Sequence, residues 1–291
     1  MKNFLRQFIN ENYVQHQLLL RESDQPDSKN LILDKGNQYG IDGIDTSNFD
    51  LNSYEKSLID RLMSAFFYSR KSNQLNLSID TSSSPITKEL MANIIVQPVK
   101  RVITFANLLS DFKRLNQNDQ CLLIHSNCID IFICSSSLLF DMNNNRIVNK
   151  INCSKEGEKL ENDCLNVTLF IEMWGKELFE KTISYLKSIN ELNIDHTTLL
   201  LYLCVILFSQ RKNDLIDKDK ISQLNYKYST LLKKYIYSKI GNHNNSNNLI
   251  EKLMLKLDEL NELSALHRSF FSDIKDYGKM ETIAKSILMD I

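Results

Sequence analysis

The sequence predicts an all-α fold, and three observations carry that expectation. Only 7 Gly and 3 Pro occur among 291 residues, so few positions must break a helix. Val102, Phe105, Ala106, Leu109 and Phe112 recur at the spacing that lines one helical face. From Cys121 to Leu139 the chain is apolar on nearly every side, the pattern of a helix buried at the centre of a molecule. A chain of this length makes one large domain or two small ones. No Pro/Ser-rich linker follows residue 85, so the reading is one domain over 51–291, preceded by a hinge-like, partly helical segment over 1–50.

The elements follow in order. Residues 1–20 are read as an amphipathic helix, and 24–48, rich in Gly, Asp, Ser and Asn, as a loop. The domain proper begins near Ser53, where Leu58, Ile59, Leu62, Met63 and Phe66 form a helical stripe. Polar residues 72–84 form a loop. A long helix is expected from about Thr87 to Phe112, bent by Pro98, which removes one backbone hydrogen bond. After the polar break at Asn116 to Asn118, Asp119 and Gln120 open the buried helix. Residues 141–152 are turn-rich, and Arg146 to Ile151 alternate enough for a short strand. Helices are expected over 165–190, 195–210 and 217–240, with GNHNNSNN at 241–248 a loop by composition. Leu249, Leu253, Leu257, Leu260 and Leu263 mark a long amphipathic helix reaching about Phe271, and a short helix over 281–291 ends the chain.

Several classes of function are excluded at this stage. A net charge of −1, with no basic stripe interleaved with aromatics, offers no surface for nucleic acid. Cys121, Cys128, Cys134, Cys153, Cys164 and Cys204 contain no C-x-x-C pair, so no zinc module is expected and buried reduced thiols are. His16, His125, His196, His243 and His267 show no metal-ligand spacing. Gly157 and Gly175 are isolated rather than part of a phosphate loop, and Asp217 and Asp219 sit in a solvated charge run. Neither an enzyme nor a cofactor is expected. Lys2, Arg6 and Glu11 interrupt any signal-peptide core, and the longest apolar run, Leu199 to Phe208, is too short to cross a bilayer. The sequons at Asn76, Asn152, Asn166 and Asn244 read as chance matches in an Asn-rich chain. A nuclear or cytoplasmic protein without membrane contact is the expectation.

The stretch Phe105 to Leu123, FANLLSDFKRLNQNDQCLL, carries a more specific signal. Phe105, Ala106, Phe112, Leu115, Asp119, Gln120, Leu122 and Leu123 match the signature that ties the third helix to the fourth and fifth in nuclear receptor ligand-binding domains. The chain resembles that family from about Ser53 to Ile291, least over 141–165 and 211–248. Leu192 to Ser209 and Leu257 to Phe271 look similar, without gaps, to the group of the vitamin D receptor, the pregnane X receptor and arthropod xenobiotic-sensing receptors. The resemblance implies a three-layer antiparallel helical sandwich of about 11–12 helices with a small β-hairpin. It also implies a ligand-binding domain without the zinc DNA-reading domain, since the closely spaced cysteine pairs are missing.

What the resemblance implies for sites is taken position by position. Ile94, Ile95, Pro98, Phe132, Ser135, Ser136, Leu139, Trp174, Leu178 and His267 fall where relatives line an internal pocket. Ser135, Pro98 and Trp174 replace polar anchors of the vitamin D receptor, so a broader, greasier pocket for a lipophilic ligand is expected. Without the resemblance, Phe132, Leu139 and Leu178 read as core, Trp174 as a filler between helices and His267 as a satisfied histidine. A groove for LxxLL coactivator helices would use Ile103, Asn107, Gln120, Ile124, His125 and Asp290. Asn107 and His125 stand where lysines are usual, and Asp290 where Glu is, so coactivator binding is expected to be weak or absent. Asp130 with Arg211 or Lys212, and the stripe Leu253, Leu257 and Leu260, would serve dimerisation with a retinoid X receptor type of partner or a second copy. The same stripe also suits the protein's own core. Two functions stay open: a sensor or sponge for lipophilic small molecules, xenobiotic or lipid, and a ligand-independent module that pairs with a full receptor.

Overall fold

The computed structural model describes residues 6–7, 50–73, 95–142, 146–148, 164–165, 170–171, 174–211, 214–272 and 281–288. The expected helix over 1–20, the loops over 24–48 and 72–84, and the start of the long helix at Thr87 lie wholly or largely outside these residues.

Helix α1 (Ser53–Ser72) starts on a reciprocal cap. The Asn52 side chain accepts from the Glu55 amide at 2.8 Å, and the Glu55 carboxylate accepts from the Asn52 amide at 2.9 Å. Helix α2 (Val96–Leu108) carries Pro98 in its first turn, where a missing N–H breaks no intrahelical bond. The part of the expected helix upstream of the proline, from Thr87 to Ile94, lies outside the described residues. The long helix is instead divided at Leu109, whose extended backbone (φ −82°, ψ 119°) separates α2 from the short α3 (Ser110–Lys113). Helix α4 (Gln117–Ser136) runs on into a 3₁₀ turn (Ser137–Leu139), matching the buried segment read from sequence.

Strands β1 (Phe140–Asp141), β2 (Arg146–Val148) and β3 (Cys164–Leu165) form an antiparallel sheet in the order β1-β2-β3. Phe140 faces Ile147, and Ile147 faces Leu165, so the expected hairpin is extended by a third strand. Helix α5 (Lys176–Glu191) follows, with Gly175 at φ 76° just before it. Helix α6 (His196–Leu207) is capped by Asp195, which accepts from the Thr198 amide at 2.8 Å. Helix α7 (Lys218–Ile240) ends at Gly241, whose left-handed φ of 66° is the conformation glycine adopts most cheaply.

The next helix, α8 (His243–Ser272), begins inside the stretch read as a loop. The Asn242 side chain accepts from the Asn245 amide at 3.1 Å, and the Ser246 amide donates to the Asn242 carbonyl at 2.9 Å. Asn242 thus nucleates a helix where composition suggested a break. Helix α9 (Thr282–Leu288) is the last element described.

Helices α4 and α6 form the middle of the fold. Leu199 to Phe208 are buried without exception, and Gln117–Leu139, long and apolar enough to cross a membrane, lies mostly inside the protein. Helices α1 and α2 cover one side, with α2 on α4 and α1 on α6. On the other side α8 and α5 pack on α4, and α7 packs between α6 and α8. The result is the three-layer helical sandwich expected from the sequence.

Two adjacent side chains hold these layers in register. Gln120 donates its amide to the carbonyls of Phe112, Lys113 and Leu115 at 3.1, 3.2 and 3.0 Å, closing the end of α3. Asp119, fully buried, accepts from the amides of Ile216 and Asp217 at 2.8 and 2.9 Å, at the entrance to α7. Its charge sits in the first turn of α4 and before the start of α7, the positive ends of two helix dipoles. Replacing Asp119 by Ala strands two amides without an acceptor, which should lower stability by about 3 kcal/mol, and Asn by about half as much, read as the shift in urea midpoint.

Candidate functional site

Most of the pocket positions named from sequence fall into two groups. Pro98 from α2, Phe132, Ser135 and Ser136 from α4, and Leu139 from the 3₁₀ turn line one cavity of about 40 Å³. Phe66, Ser69 and Arg70 of α1, Arg101, Val102 and Phe105 of α2, Ile131 of α4 and Leu203 of α6 complete its wall. That volume holds a few water molecules at most. A larger ligand has to push the walls apart.

The cavity wall is not simply greasy. Arg70 and Arg101 line it and are each only 9% exposed. Neither guanidinium meets a carboxylate among the described residues. Arg70 lies over the Phe66 ring, 5.4 Å from its centroid. Arg101 Nε donates to the Asn73 carbonyl at 2.6 Å, and the Asn73 amide in turn donates to the Ser69 carbonyl and Thr104 Oγ1, both at 3.1 Å. Arg101 Nη2 is buried with no hydrogen-bond partner among the described residues. Burial, and after it the positive charge of Arg70, pulls Arg101 down to about 10. Burial likewise lowers Arg70. Both stay protonated at neutral pH, so the cavity wall holds two desolvated positive charges. The hydroxyls of Ser135 and Ser136 donate to the Phe132 carbonyl at 3.1 and 2.8 Å, leaving their lone pairs as acceptors.

The arginines were absent from the sequence-based set, although a signal existed. Pro98, Arg101, Val102 and Phe105 follow the spacing of one helical face, as do Phe66 and Arg70, so each arginine interrupts a buried stripe.

The second group is a packed ring cluster. The Trp174 indole lies 4.8 Å from the Phe170 ring and 4.9 Å, edge to face, from His267. Thr182 Oγ1 donates to the Leu178 carbonyl at 2.7 Å, which commits its only hydrogen. His267 Nε2, 3.0 Å from the same oxygen, must then carry the proton and donate it, leaving Nδ1 as the free acceptor. The Trp174 indole N–H is buried and has no partner among the described residues. Leu178 is buried beside this cluster and Ile95 at the start of α2. Ile94 lies outside the described residues.

The groove positions are placed differently from expectation. Ile103 and Ile124 are fully buried and Asn107 is 2% exposed, so none of them lines an open surface. Helix α9 packs on both α2 and α4, the helices that carry them. The Gln120 amide is spent on the end of α3, and His125 is half-buried, its carbonyl accepting from Arg268. Asp290 lies outside the described residues.

The dimerisation positions are placed as follows. Leu253 and Leu260 are fully buried and Leu257 is half-buried, so the leucine stripe faces the protein's own core. The outward face of α8 carries Leu255 and Leu266 instead, 63% and 41% exposed. Asp130 Oδ2 lies 2.8 Å from Arg211 Nη1, and Arg211 also holds Asn261 of α8. Burial raises the Asp130 carboxyl above its usual range, and the Arg211 charge opposes that shift. Lys212 lies outside the described residues.

The ring cluster has a pH signature. Burial depresses His267 to about 4, against an ordinary value of 6.5. Its neutral form is therefore favoured by folding, and the stability it permits is complete above pH 6.5 and lost as pH falls toward 4. That loss amounts to about 3 kcal/mol. Unfolding measured between pH 7 and 4 should show this decline in the natural chain, and a much shallower one in His267→Phe.

Comparison with known proteins adds the family. The model for the "Ligand-binding domain of nuclear hormone receptor" matches residues 80–275. Thyroid hormone receptor alpha of Ovis aries is 27% identical over 184 residues, 62% of this chain and 41% of the relative. Thyroid hormone receptor alpha of Aquarana catesbeiana is 27% identical over 184 residues, 62% of this chain and 40% of the relative. These are thyroid hormone receptors rather than members of the vitamin D and pregnane X receptor group to which the sequence pointed. The chain spans about two-fifths of their length, 41% and 40%. Domains of this kind are receptor modules and not enzymes. With the signature residues at the junctions of three helical layers and the family match covering most of the chain, this protein belongs to the nuclear hormone receptor ligand-binding domain family.

Proposed function

We infer that the chain is a ligand-regulated receptor domain whose ligand is a lipophilic acid held in the cavity between α1, α2 and α4. The single observation that carries this reading is the pair Arg70 and Arg101, buried in an otherwise largely apolar wall with one guanidinium nitrogen unpartnered among the described residues. An uncompensated buried cation is costly, and a bidentate carboxylate is its natural complement. Phe66, Phe105, Phe132 and Leu139 would take the apolar body of such a molecule, and Ser135 and Ser136 would accept from any hydroxyl it carries. The relatives are named for thyroid hormone, and small lipophiles of that class are the first to try. Xenobiotic acids belong to the same chemistry. The buried, unpartnered Trp174 N–H would serve a ligand long enough to reach the ring cluster.

A second reading draws on different observations. The cavity is small at about 40 Å³, and Phe170, Trp174 and His267 pack on one another. Leu255 and Leu266 meanwhile are exposed on the outward side of α8, with Glu259 and Glu262 between them. A module that pairs with another receptor, or with a second copy, through this face needs no ligand. The cavity takes no residue from α8, so pairing and ligand binding are compatible.

A thermal-shift titration with lipophilic aryl and alkyl carboxylic acids, each beside its methyl ester, tests the first reading. A hundredfold excess over the dissociation constant should add about 2.7 kcal/mol of stability for an acid and little for its ester. Arg101→Gln should weaken acid binding by tenfold or more while leaving ester binding unchanged. Equal response to acid and ester would remove the arginines from the site, and no response to any compound would favour the pairing module.

A further inference from the structure

The cavity wall carries two positive charges and, among the described residues, no negative one. Arg70 comes from α1 and Arg101 from α2, so two separate helices each bring a guanidinium to one small space. Both side chains are buried. Arg70 lies over the Phe66 ring and makes no hydrogen bond to a described residue. Arg101 spends Nε on the Asn73 carbonyl, and its Nη2 is buried and unpartnered among the described residues.

The rest of the wall cannot cancel these charges. The Ser69 hydroxyl donates to the Phe66 carbonyl at 2.7 Å, and those of Ser135 and Ser136 to the Phe132 carbonyl at 3.1 and 2.8 Å. The remaining lining side chains are apolar. The two guanidinia are therefore the donors that the wall offers to an anion, and each raises the cost of burying the other. A carboxylate brings one negative charge and leaves one guanidinium uncompensated. A phosphate monoester carries about −1.5 to −2 at neutral pH, with three strong acceptor oxygens, enough for both. Such a head loses more hydration than a carboxylate does. The arginines, however, gave up their own water on folding, so binding recovers a penalty already incurred.

We propose that the acid held in this cavity has a compact, doubly charged head, a phosphate monoester on an apolar body, shared between Arg70 and Arg101. This rests on the lipophilic-acid reading above and narrows it from acids in general to dianions. Guanidinia suit such a head because each can give it two parallel N–H bonds. One guanidinium rides on α1 and the other on α2, so a dianion ties the two helices together, whereas a monoanion neutralises only one of them.

The test titrates the whole chain, by calorimetry, with probes that share a biphenyl body: biphenyl-4-yl phosphate, biphenyl-4-yl sulfate, biphenyl-4-carboxylate and biphenyl-4-ylmalonate. The phosphate should bind about tenfold more tightly than the carboxylate or the sulfate, and the malonate, whose two charges sit on separate carboxylates, should fall between. Arg70→Gln should bring the phosphate down to the level of the carboxylate, and Arg70→Lys, which keeps the charge, should retain most of the preference. The comparison among probes uses the natural chain, so it decides the matter even where a variant folds poorly. Phosphate and sulfate have the same shape and differ in charge, so equal affinity for the two overturns the dianion and leaves the lipophilic-acid reading in place. A malonate that binds more tightly than the phosphate overturns the phosphate form of the head. Binding by none of the probes removes the lipophilic-acid reading, and this inference with it.

Discussion

Helix α4 can be buried on every side only because its first turn is fixed from two directions. Gln120 reaches back to the end of α3, and Asp119 reaches forward to a loop almost a hundred residues later in the chain. The constraint is electrostatic as much as steric. A carboxylate with no exposure is tolerable only where amides point at it, and the loop before α7 supplies two. Once the start of α4 is pinned, its length carries Phe132, Ser135 and Ser136 to the cavity, Asp130 to Arg211, and His125 to the seat of α9. The cavity, the Asp130–Arg211 pair and the seat of α9 are all stations along this one helix.

How much of this was legible in the sequence depended on the range of the forces involved. The signature residues and the buried segment were readable because helical periodicity is local, and Gly241 marked a true boundary. The Asn-rich stretch misled because composition does not distinguish an asparagine in a loop from one that caps a helix; Asn242 does the second. The leucines of α8 left two readings open because a stripe has no label for which neighbour it faces. Leu253 and Leu260 meet the core, and the exposed Leu255 and Leu266 did not stand out from the repeat.

The arginines show where sequence reading stops. Arg101, Arg211 and Arg268 are each wholly or partly withdrawn from solvent, and nothing in the residue type foretells how each is satisfied. Arg211 meets a buried carboxylate. Arg268 is spread over backbone carbonyls of two helices. Arg101 spends one donor on a carbonyl and keeps a buried N–H in reserve. The three are a neutralised charge, a mechanical tie and an unfinished one, and the difference lies in tertiary neighbours that are 19 to 143 residues away in the chain.

An unfinished charge has a consequence for the life of the protein as well as for its affinity. A domain that carries a desolvated guanidinium is less stable empty than filled, so on the proposed reading its opening to proteases slows as the acid accumulates. Degradation removes mainly the empty form, and the quantity of protein present rises with the quantity of ligand. Such a protein would integrate exposure over hours through its own abundance, a slow memory laid over whatever fast response its surfaces give.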